Sequence, residues 1–241
     1  MDTSRGLAFE ASKAVGTRHH LTYGMDHYDD EVESSRTRTD IQTSATSVRA
    51  SRFPDGSTMS QFGVFAADDW SASERLDVLG GVRWNMSRTR LPASSGFAAT
   101  TVSDDGFAGN LSVAYEVTQS VRLVANLGQG FRTPNVFDLG TFGDRPGNRF
   151  NVPNPDLEPE HVTTFDAGWK VMNDLLQGEF IGYYSRYRDK ITSVLTGEVT
   201  DSGRLVVQSQ NAARLVLYGA EISLRHRLSD SVESRTQLTW T

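Results

Sequence analysis

"RLDVLGGVRWNMS", residues 75–87, is the stretch whose reading decides the fold. Leu76, Val78, Gly80, Val82, Trp84 and Met86 fall on one side at a period of two, and Asp77, Arg83 and Asn85 fall on the other. Extended backbone sends successive side chains to opposite faces, so this pattern makes a strand with one greasy and one polar side.

The same pattern recurs along the chain. Phe107, Leu111, Val113, Tyr115 and Val117 oppose Asn110, Ser112 and Glu116, and Val121, Leu123, Ala125 and Leu127 oppose Arg122 and Asn126. Further on, Phe165, Ala167, Trp169 and Val171 oppose Asp166 and Lys170. Val216, Tyr218, Ala220, Ile222 and Leu224 oppose Glu221 and Arg225, and Val232, Leu238 and Trp240 oppose Glu233, Arg235 and Gln237. Leu21, Tyr23 and Met25, then Phe62, Val64 and Ala66, give two weaker examples. "GEFIGYYSRYRDKI" is apolar or aromatic on both sides and reads as a strand without an orientation, and "GLAFEASKAV" is a weak strand. The sum is about ten strands of about ten residues, the length of a tilted strand that crosses a bilayer.

Connection lengths alternate. Tight turns are expected near Ser71 to Glu74, Thr118 to Ser120, Asn173 to Gln177 and Ser229 to Asp230, and long links at 29–58, 88–106, 133–160 and 188–212. If strands run up and down, every tight turn falls at one end and every long link at the other. Periodicity alone fits a soluble β-sandwich binding module equally well. One-sided loops, with Trp84, Phe107, Tyr115, Phe165, Trp169, Tyr218 and Trp240 toward strand ends, favour an all-β, antiparallel, up-and-down transmembrane barrel.

Composition agrees. The 241 residues include 21 glycines and no cysteine, which removes disulfides, thiolate metal sites and cysteine nucleophiles. A net charge of -6 offers no basic stripe for phosphates, so no nucleic acid is expected. The start has no signal-peptide pattern, and no apolar run reaches the ~20 residues of a membrane helix. His19, His20 and His27 near Asp26, Asp29 and Asp30 lack metal-ligand spacing, and neither Asp68–Asp69 nor Asp104–Asp105 has a pocket motif. No catalytic residue, cofactor or enzyme activity is implied.

The stretch "NPDLEPE", residues 154–160, follows Pro153 and leads straight into a strand. Proline lacks an amide donor and fixes φ, so the cluster is excluded from helix interiors and central strands. Together with "GFRTPNVFDL" (130–139), it resembles the Phe-Arg-x-Pro and Asn-Pro-x-Leu-x-Pro-Glu boxes of TonB-dependent outer-membrane receptors. The carrying residues are Phe131, Arg132, Pro134, Asn154, Pro155, Leu157, Pro159 and Glu160. "GVFAADDWSASERLDVLGGVRWN" and "NAARLVLYGAEISL", the latter with Gly219 and Glu221, resemble two further stretches of that family, and the four keep the family's order over residues 61–225.

The resemblance implies a barrel of about twenty-two strands closed around a plug, in the bacterial outer membrane, importing scarce metal complexes with energy from the TonB machinery. On that basis residues 1–241 are part of one barrel domain, with the plug and C-terminal strands outside them. Its partners are outer-membrane lipid, the TonB machinery through the absent plug, and a small-molecule metal chelate. A passive porin-like channel shares the strands and is the membrane alternative.

A ferric siderophore is favoured over haem, because the axial histidine that haem receptors carry between the two boxes has no counterpart between Phe131 and Leu157. His161 lies just beyond them. The substrate-binding candidates between the boxes are Arg132, Phe137, Phe142, Arg145, Arg149 and Phe150, suited by charge and stacking to an anionic chelate. The plain alternative for the arginines is pairing with Asp138 and Asp144. The prolines are expected to stiffen the base from which the loop 135–152 hangs.

Overall fold

The computed structural model describes residues 2–94 and 98–241. Ten long strands form the wall: β1 (Asp2–Val15), β2 (His19–Val32), β5 (Ser57–Ser73), β6 (Leu76–Leu91), β7 (Thr100–Thr118), β8 (Val121–Arg132), β11 (Glu160–Met172), β12 (Leu176–Val199), β13 (Leu205–Ser229) and β14 (Val232–Trp240). Each pairs antiparallel with the next in an open meander from β1 to β14. Four short strands sit in the long links: β3 (Arg36–Thr39), β4 (Thr46–Arg49), β9 (Gly143–Arg145) and β10 (Arg149–Val152). One short helix, α1 (Val136–Gly140), joins them.

Register aligns the greasy sides across strands. Phe9, Met25, Val64, Trp84 and Phe107 make one continuous row, and Leu111, Leu127, Phe165, Tyr184 and Tyr218 make another. Residues directly opposite in an antiparallel pair share a face, so these rows define an outer surface. Among the described residues no second sheet covers it: Val82, Phe107, Leu127 and Trp240 are all exposed. That rules out the sandwich, whose greasy faces would be pressed together in a dry core. It also orients β12, with Phe180 and Tyr184 outside and Glu179, Tyr183 and Ser185 inside.

The opposite face carries the polar pairs. Arg83 reaches Asp26 at 2.7 Å and Asn85 at 2.7 Å, Asn126 donates to Asp166 at 3.0 Å, and Lys170 faces Glu179 at 3.2 Å. A hollow of about 610 Å³ lies on this side, lined by Phe65, Arg83, Asn110, Gly128 and Thr164 among others. Gly219 faces inward too, and a Cβ there would lie 2.6 Å from the Tyr183 hydroxyl and also meet the Trp240 carbonyl. The glycine makes room for that tyrosine. Glu221, two residues on, points to the same inner side.

Aromatic spacing is less regular than two clean girdles. Phe62 and Trp70 on β5, and Phe107 and Tyr115 on β7, are eight residues apart, roughly 27 Å along a strand. That suits an apolar band about 25 Å tall. Phe165 and Trp169 on β11 are only four apart, so one of them falls inside the band.

Tight connections at 16–18, 74–75, 119–120, 173–175 and 230–231 share one end, and the other connections, at 33–56, 92–99, 133–159 and 200–204, share the opposite end. Two link boundaries are corrected. The expected link at 188–212 is mostly strand, because β12 and β13 run 24 and 25 residues and pair as far as Val199 with Leu205. β-Bulges near Tyr187 to Ile191 blur the alternation that would have revealed it. The expected link at 88–106 shrinks to 92–99, of which 95–97 lie outside the described residues. A third departure is the parallel pairing of β10 with β13, Arg149 with Leu205 through Val152 with Gln208.

Candidate functional site: the loop-end cap

Over the loop end sits a small core of its own. Leu91 and Leu139 are fully buried, Val136 and Leu157 nearly so, and Val32, Phe53, Val102 and Ile191 pack around them. These residues come from strand tips, from both long links and from α1, so the core ties the cap to the wall. Inward-pointing Ser87, Thr89 and Leu91 on β6 are buried beneath it, while Arg88 and Arg90 on the other face remain exposed.

Local sequence explains why α1 forms although it has only five residues. Asn135 caps it, accepting from the Asp138 amide at 3.0 Å, while Asp138 accepts from the Asn135 amide at 3.2 Å. This reciprocal capping box satisfies two amides that a helix start leaves orphaned. Val136 and Leu139, three apart, then share the face turned into the core.

The two boxes meet at a carboxylate. Glu160 accepts from Arg132 at 2.9 and 3.2 Å and from the Ile191 amide at 2.7 Å, with Lys190 at 4.0 Å. The third Arg132 contact runs to Asp138 at 2.6 Å. One guanidinium therefore links the end of β8, the start of β11 and the first turn of α1. Burial works against the Glu160 charge, but the Arg132 hydrogen bonds and the Ile191 amide outweigh it, holding the carboxyl below its ordinary range. Hydrogen bonds from Arg132 to Glu160 raise the arginine further above its usual value.

The prolines frame this knot. Pro134 is fully buried after β8 ends at Arg132. Asn154 donates its amide to the Leu139 carbonyl at 3.0 Å and its side chain to Ser209 at 2.8 Å. Asn211 holds the other side, accepting from the Glu158 amide at 2.9 Å and donating to the Glu158 carbonyl at 2.8 Å. Between these clamps Pro155 and Pro159 restrict the backbone, and Leu157 drops into the core. The Phe131 ring lies 3.0 Å from where a Gly106 Cβ would sit and 6.4 Å from the His161 ring.

The sequence-derived ligand candidates separate into groups. Arg132 is engaged by two carboxylates, as above. Phe137 is half exposed, 5.9 Å from Phe53 and 5.6 Å from the Arg52 guanidinium. Phe142 and Phe150 meet edge to face at 5.2 Å. Arg145 and Arg149 are cross-strand partners in the β9–β10 ladder, on the opposite face from Asp144 and Phe150. Asp144 is taken by Arg204.

A cleft of about 700 Å³ opens on the Phe150 side. Its far wall is the β3–β4 hairpin, which contributes Arg36, Arg38 and Arg49. Sequence reasoning passed over these three; the alternation "RTRT" inside the link 29–58 is the signal that could have found them. The histidines named from sequence fall into separate places: His19 pairs with Asp68 at 2.7 Å and stacks on Trp70, and His27 pairs with Asp29 at 2.9 Å.

A family model described as TonB dependent receptor-like, beta-barrel matches residues 1–241. The chain belongs to that family. TonB-dependent receptors are outer-membrane proteins and transport receptors, so the rows of Trp84 and Phe165 face lipid, and the end with the long links and the cap is the one that outer-membrane barrels turn to the cell exterior. The rhizobactin receptor of Rhizobium meliloti (strain 1021) is 25% identical over 181 residues, 64% of this chain and 24% of that protein. Among solved structures, copper transporter OprC superposes with a TM-score of 0.81 at 19% identity, covering 99% of this chain and 37% of its own. The Serratia marcescens hemophore receptor HasR gives 0.77 at 16% identity, covering 99% and 41%. The ferric enterobactin receptor PfeA of Pseudomonas aeruginosa gives 0.72 at 19%, covering 99% and 35%. The chain thus spans about a quarter of the curated relative and little more than a third of the structural ones.

Proposed function

We propose that residues 1–241 are part of one receptor barrel domain that, completed by a plug and further strands, takes up an anionic iron chelate across the outer membrane. A ferric siderophore is favoured over haem. The observation that carries this reading is the cap: a packed lid on the loop end that carries Phe137, Phe142, Phe150, Arg145 and Arg149 on a base held by its own core. Guanidinium groups and aromatic rings suit a charged, ring-bearing chelate. The relative named as a rhizobactin receptor and the structural neighbour named as a ferric enterobactin receptor support the same class. The neighbour named for hemophore and heme keeps the second class in view, but the histidine absent between Phe131 and Leu157 weighs against it. Energy would come from the TonB machinery acting through the plug.

Growth of a strain expressing the full-length protein under iron starvation, with a panel of ferric siderophores and haem, tests this. Rescue by at least one siderophore and loss of rescue on deleting the TonB machinery is the expected result. Rescue independent of that machinery, with steady ion conductance in planar bilayers, would mark a passive channel instead.

A further inference from the structure

The β3–β4 hairpin gathers like charges on one face. Arg36 lies directly opposite Arg49 in the ladder, and Arg38, two residues along, shares their face. Like charges placed opposite each other in a sheet repel. Among the described residues none of the three makes an ion pair with a carboxylate. Among the described residues that line the cleft they face, Asp144 is the only acid, and Arg204 already occupies it.

Across the cleft stand Phe142 and Phe150, whose perpendicular rings leave both a face and an edge for a further ring. Gly143 sits between them and the hairpin with φ of +102°, and an Arg36 nitrogen lies 3.6 Å from where its Cβ would be. A side chain there would be strained by its backbone conformation and would come into contact with Arg36. The opening of about 700 Å³ is within the range of drug-sized ligand sites.

We infer that this cleft is the charge-selective part of the receptor: Arg36, Arg38 and Arg49 read multiple negative charge on a metal chelate, while Phe142 and Phe150 pack its aryl rings. This rests on the reading of the protein as a chelate receptor and adds which chelates it accepts, namely polyanionic aryl complexes in preference to neutral ones. The arginines are spread over one hairpin face and so suit charge distributed over a large ligand better than a single phosphate.

The test uses the full-length receptor in detergent, with a trianionic ferric tris-catecholate and a neutral ferric tris-hydroxamate as probes. Wild type should prefer the tris-catecholate, and the preference should fade as salt rises. The triple variant R36Q/R38Q/R49Q should bind it about 100-fold more weakly. The triple Arg→Lys variant, which keeps the charge, should recover most of that loss, and R88Q/R90Q, on the outer face of β6, should change it little. A tris-catecholate affinity within twofold of wild type in the triple glutamine variant would overturn the inference and leave the receptor reading standing. So would displacement of the chelate by equimolar phosphate-headgroup lipid micelles, which would make the cleft a lipid site. Failure of wild type to bind either chelate would remove both.

Discussion

The wall leaves its apolar side chains on the surface, with Val82 at 53% and Leu123 at 48% exposure, whereas the cap buries Leu91 and Leu139 completely. Each strand of the wall gains from the backbone ladder, but its greasy side is stabilised only when hydrocarbon covers it. The cap carries its own small core and a charge-assisted knot at Arg132, Glu160 and Asp138. Stability in the wall is thus conditional on lipid, while stability in the cap is internal. The two should respond differently to the same kinds of perturbation.

The largest effect is expected inside the cap. Leu139→Ala should cost ~2 to 5 kcal/mol, because the cavity cannot collapse against β6 and α1. Hydrogen exchange should show faster opening around residues 134–157 with wall protection unchanged; loss of protection throughout the wall would mean the two are one cooperative unit. Next comes Val82→Arg, or Leu123→Arg or Ile222→Arg, each placing charge in the hydrocarbon for ~2 to 4 kcal/mol near mid-membrane. Folding of the full-length receptor into lipid vesicles reads this, and the cap should be lost only together with the wall. Inward Arg122→Gln should cost far less.

A smaller effect is expected at the knot. Glu160→Gln keeps the shape but removes the charge, so the cap should loosen by ~1 to 2 kcal/mol, discounted because the Arg132 partner is partly exposed. Limited proteolysis of the loop 135–152 measures it. The smallest effect is with pH. Because the Glu160 carboxyl is held below its ordinary value, its contribution is complete above the unfolded value near ~4.3 and is lost as pH falls through the lower folded value. Exchange protection in the cap, corrected for intrinsic rates, should fall as pH drops below about 4.3 in wild type, and this part of the loss should vanish in Glu160→Gln.

The wall was legible because lipid on one side and polar lumen on the other impose a period of two, so Val82 against Arg83 or Trp169 against Lys170 declares a face without any knowledge of neighbours. Where that constraint stops, reading failed. Above the membrane β12 and β13 continue as strand through bulges, and residues such as Thr192 and Gln210 need satisfy no greasy side. The cap was half legible. Prolines marked a stiff base, but that Leu157 fills a core shared with Leu91, and that Glu160 binds Arg132, depends on contacts between residues distant in sequence. Arg36, Arg38 and Arg49 were overlooked because only the fold brings their hairpin opposite Phe142 and Phe150.

The parallel seam between β10 and β13 bears on how such receptors can be re-engineered. Residues 149–152 borrow their hydrogen bonds from 205–208, Asn148 also donates to the Gly203 carbonyl, and Gln208 donates to the Pro153 carbonyl. A chimera that transplants only residues 133–159 from a relative would leave both halves of the seam mismatched, so the exchangeable module is that segment together with 200–211.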